Sequence, residues 1–305
     1  MQKKKIMFIV NPRAGIGYYK KVVRLVKKQL DLNVYEYQLQ QTHYRGHGQV
    51  LASQAANNGI DIVVAVGGDG TINEIAGALV GKNVVLGLIP TGSGNGLAHH
   101  LQIPTGISKA IKVINRGNIS EIDTIDINGK KCISIAGLGF DGLVAELFDR
   151  SSRRGFFPYL YHVMSSFRSY KPQTYYVEEK GKEKQEHTVM LVGIANSSQW
   201  GFNLKMSPKA SMDDGRADIC LMKKPDFFTL PFSTTALLTG NVHKDKWNMH
   251  ICCVSECTIY TKDNIPQPFH IDGDPVERQT KLDIKVCPKS LRIITPEYIS
   301  NKHKK

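Results

Sequence analysis

The stretch that most constrains the fold is residues 61–74, Asp61-Ile62-Val63-Val64-Ala65-Val66-Gly67-Gly68-Asp69-Gly70-Thr71-Ile72-Asn73-Glu74. Its first six residues are mostly β-branched and apolar, the pattern of a strand buried on both faces. Gly67, Gly68 and Gly70 end that strand. Residues 71–79 then read as a helix, with Thr71 at the N-cap and Glu74 three positions on, the spacing of a capping box. A strand, a glycine turn and a helix N-terminus aim backbone N–H groups and the helix dipole at one point, which suits a phosphate. Asp69 is the anomaly, an anion inside an anion-binding turn. A carboxylate there repels phosphate unless a cation lies between them, and the simplest arrangement is Mg²⁺ bridging Asp69 and a nucleotide polyphosphate.

The same unit repeats around it. Strand patterns at 6–10, 33–39, 61–66 and 83–89 alternate with helical ones at 19–30, 46–58, 71–79 and 107–115. Such alternation predicts a mainly parallel sheet covered on both faces, which binds ligands beyond the carboxyl ends of its strands. Three glycine-bearing turns follow Val10, Val66 and Ile89. The first carries Asn11, Pro12 and Arg13, with Gly15 and Gly17, and offers the Arg13 guanidinium to phosphate. The last offers backbone N–H groups with Thr91, Gly92, Ser93 and Asn95 before a short helix. Nowhere does a Walker A lysine loop occur, so any phosphate site is built differently.

Past residue 126 the pattern changes to short strands at 130–136, 174–179, 187–195, 217–222, 247–254, 258–261, 269–272 and 281–286, interrupted by helical stretches at 143–149, 159–169 and 227–238. This is a hairpin-rich antiparallel domain, read as a β-sandwich. The division expected is an α/β domain over 1–127 and a β-rich domain over 128–290, touching across a cleft. Gly137-Leu138-Gly139-Phe140-Asp141-Gly142 matches G-x-G-x-x-G, but in the antiparallel half and without an acidic strand end about 20 residues later. Its glycines read as tight turns rather than a dinucleotide site. Asp272 and Asp274 flank Gly273 at a strand end and are the best candidates for a general base in this half. The turn 211–216 holds Asp213 and Asp214; a structural cation and a plain hairpin turn fit it equally.

The 305 residues carry 40 Lys and Arg against 27 Asp and Glu, a net charge of +13. An excess of this kind points to an acidic partner. Zinc-finger, RNP-type and dense basic-helix patterns are all missing, which argues against nucleic acid. No apolar run nears the ~18–20 residues of a membrane span. The run at 6–10 is too short for a signal peptide, and Asn11-Pro12-Arg13 replaces a cleavage site. A cytoplasmic protein in peripheral contact with membrane is expected. The basic, aromatic segments 153–171 and 223–232 read either as seats on an anionic bilayer or as packed helices with snorkelling bases. Cys132, Cys220, Cys252, Cys253, Cys257 and Cys287 form no C-x-x-C pair and are expected as buried free thiols of a reducing compartment.

Taken together, Asn11-Pro12, Thr42, Gly67-Gly68-Asp69-Gly70-Thr71 with Asn73-Glu74, Pro90-Thr91-Gly92-Ser93-Gly94-Asn95, Gly137-Leu138-Gly139-Phe140-Asp141, Asp213-Asp214-Gly215 and Asp272-Gly273-Asp274 occur in one order over nearly the whole chain. This set resembles the lipid kinase family that holds the soluble bacterial diacylglycerol kinases and the sphingosine and ceramide kinases. The resemblance implies a NAD-kinase/phosphofructokinase-like α/β domain and an ATP site between the domains. It implies nucleotide contacts at Asn11, Thr42, residues 67–71 and Ser93, with Mg²⁺ near Asp69. It implies a general base in the Asp272–Asp274 pair and, as in the diacylglycerol kinases, a structural Mg²⁺ at the turn of Asp214. It also implies a last strand near 291–295 that returns to the first domain.

Two departures stand out. The family's Asp-Gly-Glu reads Asp272-Gly273-Asp274, which leaves open which carboxylate takes the proton. Gly96 stands where the bacterial diacylglycerol kinases carry Asp, as in the sphingosine kinases, and shifts weight toward a sphingoid base or another lipid alcohol. The expected activity is ATP-dependent phosphorylation of a lipid hydroxyl, on diacylglycerol or a sphingoid base, at an anionic membrane surface, with a homodimer allowed. The alternatives are a kinase of a soluble alcohol, NAD kinase above all, and a nucleotide- and lipid-binding regulatory protein without catalysis.

Overall fold

The structure, a computed structural model, describes residues 2–14, 18–151, 155–200 and 204–297. Two compact units divide it: residues up to Asp123 with those from Pro288 onward, and Thr124–Cys287. Gly15, Gly17, Arg153, Arg154 and the basic C-terminal tail lie outside the described residues.

The first unit runs β1 (Lys4–Val10), α1 (Tyr18–Gln29), β2 (Tyr35–Gln41), α2 (His47–Asn57), β3 (Ile62–Gly67), α3 (Asp69–Leu79), β4 (Val85–Pro90), α4 (Gly96–His100), α5 (Ile107–Arg116) and β5 (Ile119–Ile127), the last passing into the second unit. The strand order β2-β1-β3-β4 is parallel throughout. All six residues of β3 and of β4 are buried, as their continuous apolar runs require. Val22 and Val26 of α1 and Ile111 and Ile114 of α5 pack on one face against Phe8, Val64 and Ile89. Helices α2 and α3 pack on each other, and α3 lies against β3 and β4.

Helix α3 begins two residues before the spacing predicts. Gly68 is its N-cap, extended at φ −89° and ψ −175°, so Thr71 lies inside the first turn. Glu74 forms no capping box. Its carboxylate accepts the N–H groups of Gly46 (2.8 Å) and Gly48 (3.2 Å) and pins the N-terminus of α2.

The second unit holds β6 (Lys130–Cys132), β7 (Ile135–Gly139), α6 (Phe140–Arg150), α7 (Phe156–Phe167), β8 (Gln173–Glu179), β9 (Gln185–Val189), β10 (Leu191–Ala195), β11 (Ala217–Met222), α8 (Leu230–Thr239), β12 (Met249–Val254), β13 (Glu256–Thr261), β14 (Gln267–Ile271), β15 (Asp274–Gln279) and the start of β16 (Lys281–Ile294). One antiparallel sheet has the order β12-β11-β10-β7-β14-β15; the other joins the start of β16 to β13, β8 and β9. Leu138, Val192, Ile219 and Phe269 of the first meet Tyr175, Ile259, Leu282 and Ile284 of the second in one core. This is the expected β-sandwich. The end of β16 lies in the first unit, where Arg292 and Ile293 pair in parallel with Val85 and Leu86 of β4.

Two expected strands are each broken in two. Residues 187–195 split at Met190 because β9 pairs with β8 and β10 with β11, so the chain changes sheets there. Residues 130–136 split at Ile133 and Ser134, whose N–H groups go to Asp272 instead of a ladder. In Gly137–Asp141–Gly142, the glycines make room for close packing. A Cβ at Gly137 would lie 2.6 Å from His270 Nε2, and one at Gly142 would lie 2.6 Å from the Phe269 nitrogen. Cys132, Cys220 and Cys257 are buried, but Cys252 and Cys287 are only partly buried and Cys253 is exposed on β12, because alternation turns it away from the core that Val254 fills. No described helix is long and apolar enough to cross a membrane.

Candidate active site

In the first unit the parallel order puts four strand ends side by side. Asn11 follows β1, Thr42 follows β2, residues 67–71 follow β3 and residues 91–95 follow β4. Hydrogen bonds tie them together. The Asn11 backbone donates to Val66 O at 2.9 Å and its Nδ2 donates to Thr71 Oγ1 at 2.9 Å. Thr42 N–H reaches Val10 O at 3.0 Å, and Thr91 N–H reaches Gly67 O at 2.8 Å. Arg13 N–H donates to Asn11 Oδ1 at 2.9 Å, and with Pro12 this turn is exposed.

The two glycine turns meet backbone to backbone. A Cβ on Gly92 would lie 2.6 Å from Gly68 Cα, and one on Gly94 would lie 2.7 Å from Asp69 Oδ2. Only glycine allows that approach. A Cβ on Gly70 would meet nothing within 4 Å, so the backbone is open at that point of the turn. Asp69 is the clamp. Its Oδ2 accepts the Asn95 N–H at 2.8 Å and its Oδ1 the Gly96 N–H at 2.7 Å. The anion that was anomalous beside phosphate therefore caps the N-terminus of α4 from the first turn of α3. Asn95, at φ 53°, spends its side-chain amide on Gly92, accepting from N–H at 3.0 Å and donating to O at 2.7 Å. Ser93 is the exposed side chain of that turn.

In the second unit, Ile271 pairs with Asp274, and the two residues between them have φ 52° at Asp272 and φ 85° at Gly273. This is the geometry of a two-residue type I′ hairpin, for which Asp-Gly is a preferred pair. Asp272 turns its carboxyl end inward, although part of the residue stays accessible. There it accepts N–H groups from Ile133 (2.8 Å), Ser134 (2.7 Å) and Ile135 (3.0 Å). Burial raises its pKa above the usual carboxylate value, against the opposing pull of those three donors and of His270. Asp274, also partly exposed, is the first residue of β15.

Sequence reasoning missed His270 as part of this group. It is buried, its Nδ1 accepts the Gly273 N–H at 3.2 Å, and its Nε2 lies 2.7 Å from Asp141 Oδ2. An acceptor Nδ1 fixes the proton on Nε2, which donates to Asp141. The available signal was proximity in sequence: His270 lies in β14, two residues before Asp272 of the turn. The third acidic turn is separate. Asp214 Oδ1 accepts the Arg216 N–H at 3.0 Å, and Asp213 accepts the Ser211 hydroxyl. Among the described residues no group of three or more His, Cys, Asp or Glu is placed to hold a metal ion.

Comparison with known proteins finds two family matches along the chain. Residues 5–127 match the Diacylglycerol kinase catalytic domain family, and residues 134–295 match the YegS C-terminal NAD kinase beta sandwich-like domain. The diacylglycerol kinase of Bacillus subtilis (strain 168) is 31% identical over 269 residues, covering 86% of this chain and 84% of its own. A Salmonella gallinarum protein named "Probable lipid kinase YegS" is 28% identical, over 84% of this chain and 85% of its own. A diacylglycerol kinase crystal structure from Bacillus anthracis str. Sterne shares the fold at a TM-score of 0.73 and 18% identity, over 97% of this chain and 98% of that one. The chain belongs to the diacylglycerol kinase-like lipid kinase family.

Proposed function

We propose that this protein transfers the γ-phosphate of ATP to the hydroxyl of a lipid alcohol, diacylglycerol or a sphingoid base. The observation that carries the reading is the cradle at the ends of β1, β2, β3 and β4. There Gly68 and Gly92 touch, Asn11 and Thr71 are bonded, and Asp69 is held by two N–H donors.

The residues present fit Mg²⁺ and a nucleotide. A carboxylate has about four acceptor positions, and Asp69 uses two of them on backbone, which leaves one per oxygen for a hydrated cation. Mg²⁺ is held by one or two carboxylates plus substrate phosphates and keeps several waters, so one acidic residue suffices. When bound, it supplies positive charge against the β- and γ-phosphates. The chain's own part is orientation. The N–H groups of residues 68–71, the Thr71 and Ser93 hydroxyls and the Arg13 guanidinium bind and align phosphate oxygens. Asp274 accepts the proton of the lipid hydroxyl. Asp272 is the poorer base because its oxygens already serve Ile133, Ser134 and Ile135. His270 holds Gly273 and so the angle at which Asp274 leaves the turn. Contact with membrane is peripheral and is favoured by the net charge of +13.

The test is product analysis by mass spectrometry after incubation with ATP, Mg²⁺ and a mixed lipid extract. One class of phosphorylated lipid alcohol is expected with the wild type and is missing with Asp69→Ala. Phosphorylation of NAD alone, or undiminished lipid phosphorylation by the variant, contradicts the proposal.

A further inference from the structure

We infer that the layer of α7 and α8 on the outer face of the β-sandwich is a docking face for an anionic lipid bilayer, with Phe227 and Phe228 as its inserting side chains. The purpose of such a face rests on the lipid-kinase reading above; the observations that point to it do not.

Phe227 and Phe228 are each 85% exposed, and Trp247 is 66% exposed. They stand on a built platform. The Asp226 carboxylate accepts the N–H groups of Phe228 (3.0 Å) and Thr229 (2.8 Å) and the Thr229 hydroxyl (2.8 Å), which fixes the turn that presents both rings. The turn bearing Trp247 is bolted to α8 from beneath. Buried Asp245 accepts the Ser233 hydroxyl at 2.5 Å, and Asn248 Nδ2 donates to the same Ser233 oxygen at 3.1 Å. Phe232 and Trp247 rings then meet at 5.5 Å.

Helix α7 continues the surface. Tyr159, Val163 and Phe167 pack into the core beneath it, together with Leu237 of α8. The other side presents Phe157 (81% exposed), Tyr161 (69%) and Met164 (64%) at i, i+4 and i+7. Lys224, between β11 and α8, ties that segment to the end of α7, its Nζ donating to Arg168 O (3.1 Å) and Tyr170 O (2.8 Å). An apolar helix stripe and paired phenylalanines in water have no reason to persist on a protein that never covers them.

Charge selects the occupant. Lys223, Lys244 and Lys246 are exposed around the rings, and Arg168 lies at the end of α7. Residues 155–171 and 223–248 contain only two acids: Asp226, exposed but hydrogen-bonded within its own turn, and buried Asp245, against the five exposed lysines and arginines Arg168, Lys171, Lys223, Lys244 and Lys246. Aromatic side chains ringed by bases suit the headgroup region of an anionic bilayer. A two-fold contact with a second copy would set the same lysines against each other, which is unfavourable.

The test is flotation of the full chain with vesicles of phosphatidylcholine alone or with an equal part of phosphatidylglycerol, alongside sedimentation velocity without lipid. Wild type is expected on the anionic vesicles only. Phe227→Ala/Phe228→Ala should bind them about a hundredfold more weakly, about tenfold per ring. Lys244→Gln/Lys246→Gln should bind about twentyfold more weakly. Both should keep wild-type phosphorylation of diacylglycerol dispersed in neutral detergent micelles. Flotation of the phenylalanine variant at the wild-type level overturns the inference. So does a lipid-free wild-type dimer that this variant converts to monomer, since that places a second copy on the face. If the wild type binds anionic vesicles but phosphorylates no lipid in micelles, the kinase reading falls while the docking face stands.

Discussion

Asp69 in the α/β unit and Asp272 in the β-sandwich each sit in a glycine turn after a strand, and each turns its carboxylate onto the backbone N–H groups of a second loop. Asp69 takes two donors, from Asn95 and Gly96, one on each oxygen. Asp272 takes three, from residues 133–135, with its carboxyl end turned in. The first is a clamp that keeps acceptor capacity, which the proposed mechanism assigns to a cation. The second spends three positions on the fold, and the base we propose is Asp274 two residues on. A carboxylate beside a glycine is thus not yet a function; which lone pairs the backbone has already claimed decides it.

Breaking the clamp that has both roles should have the largest effect. Asp69→Ala leaves two donors without their acceptor and removes the cation's ligand, so kcat/KM for lipid phosphorylation should fall about 10⁴-fold. Steady-state kinetics with labelled ATP reads this out. Asp274→Asn should lower kcat about 10³-fold, the scale of a lost general base. Asp274→Glu, which restores the side-chain length usual in the family, should keep activity within about tenfold. Next comes the clamp with a single role. Asp272→Ala leaves three N–H groups without their acceptor and should cost on the order of 3 kcal/mol in urea unfolding. Gly92→Ala forces apart turns whose atoms would lie 2.6 Å from the new Cβ, and should cost about 1–3 kcal/mol together with nucleotide affinity.

The smallest effect is a pH slope. The pKa of Asp272 is raised by burial above 3.8, so ionising it costs more in the fold than in the unfolded chain. Its contribution is therefore most favourable below pH 3.8 and is lost as pH rises through the raised value. Asp272→Asn should flatten that part of the stability curve, measured by denaturant midpoints from pH 4 to 7.

The period-two and period-3.6 patterns were enough for the parallel sheet, because β1, β3 and β4 carry apolar runs that end in glycine-bearing turns. They were enough to bring Asn11, residues 67–71 and residues 91–95 to one edge. What they could not reach depends on partners far along the chain. Asp272 captures N–H groups about 138 residues away, which is why the strand at 130–136 breaks. Glu74 has capping-box spacing, yet the N-terminus of α2 offers it better donors. The polar run Asp274-Pro275-Val276-Glu277-Arg278-Gln279 carries no strand signal and becomes β15 only because the Asp-Gly turn folds it onto β14. For Phe227 and Phe228 the sequence left a bilayer seat and a packed helix equally open, and it is the folded turn before α8 that exposes both rings.

The most direct measurement compares Asp272→Asn and Asp274→Asn for ATP-dependent phosphoryl transfer to lipid, with the unfolding free energy of each protein determined in parallel. The account predicts that Asp274→Asn keeps wild-type stability and loses transfer, while Asp272→Asn loses stability and its folded fraction still transfers phosphate. Wild-type transfer by Asp274→Asn would contradict it.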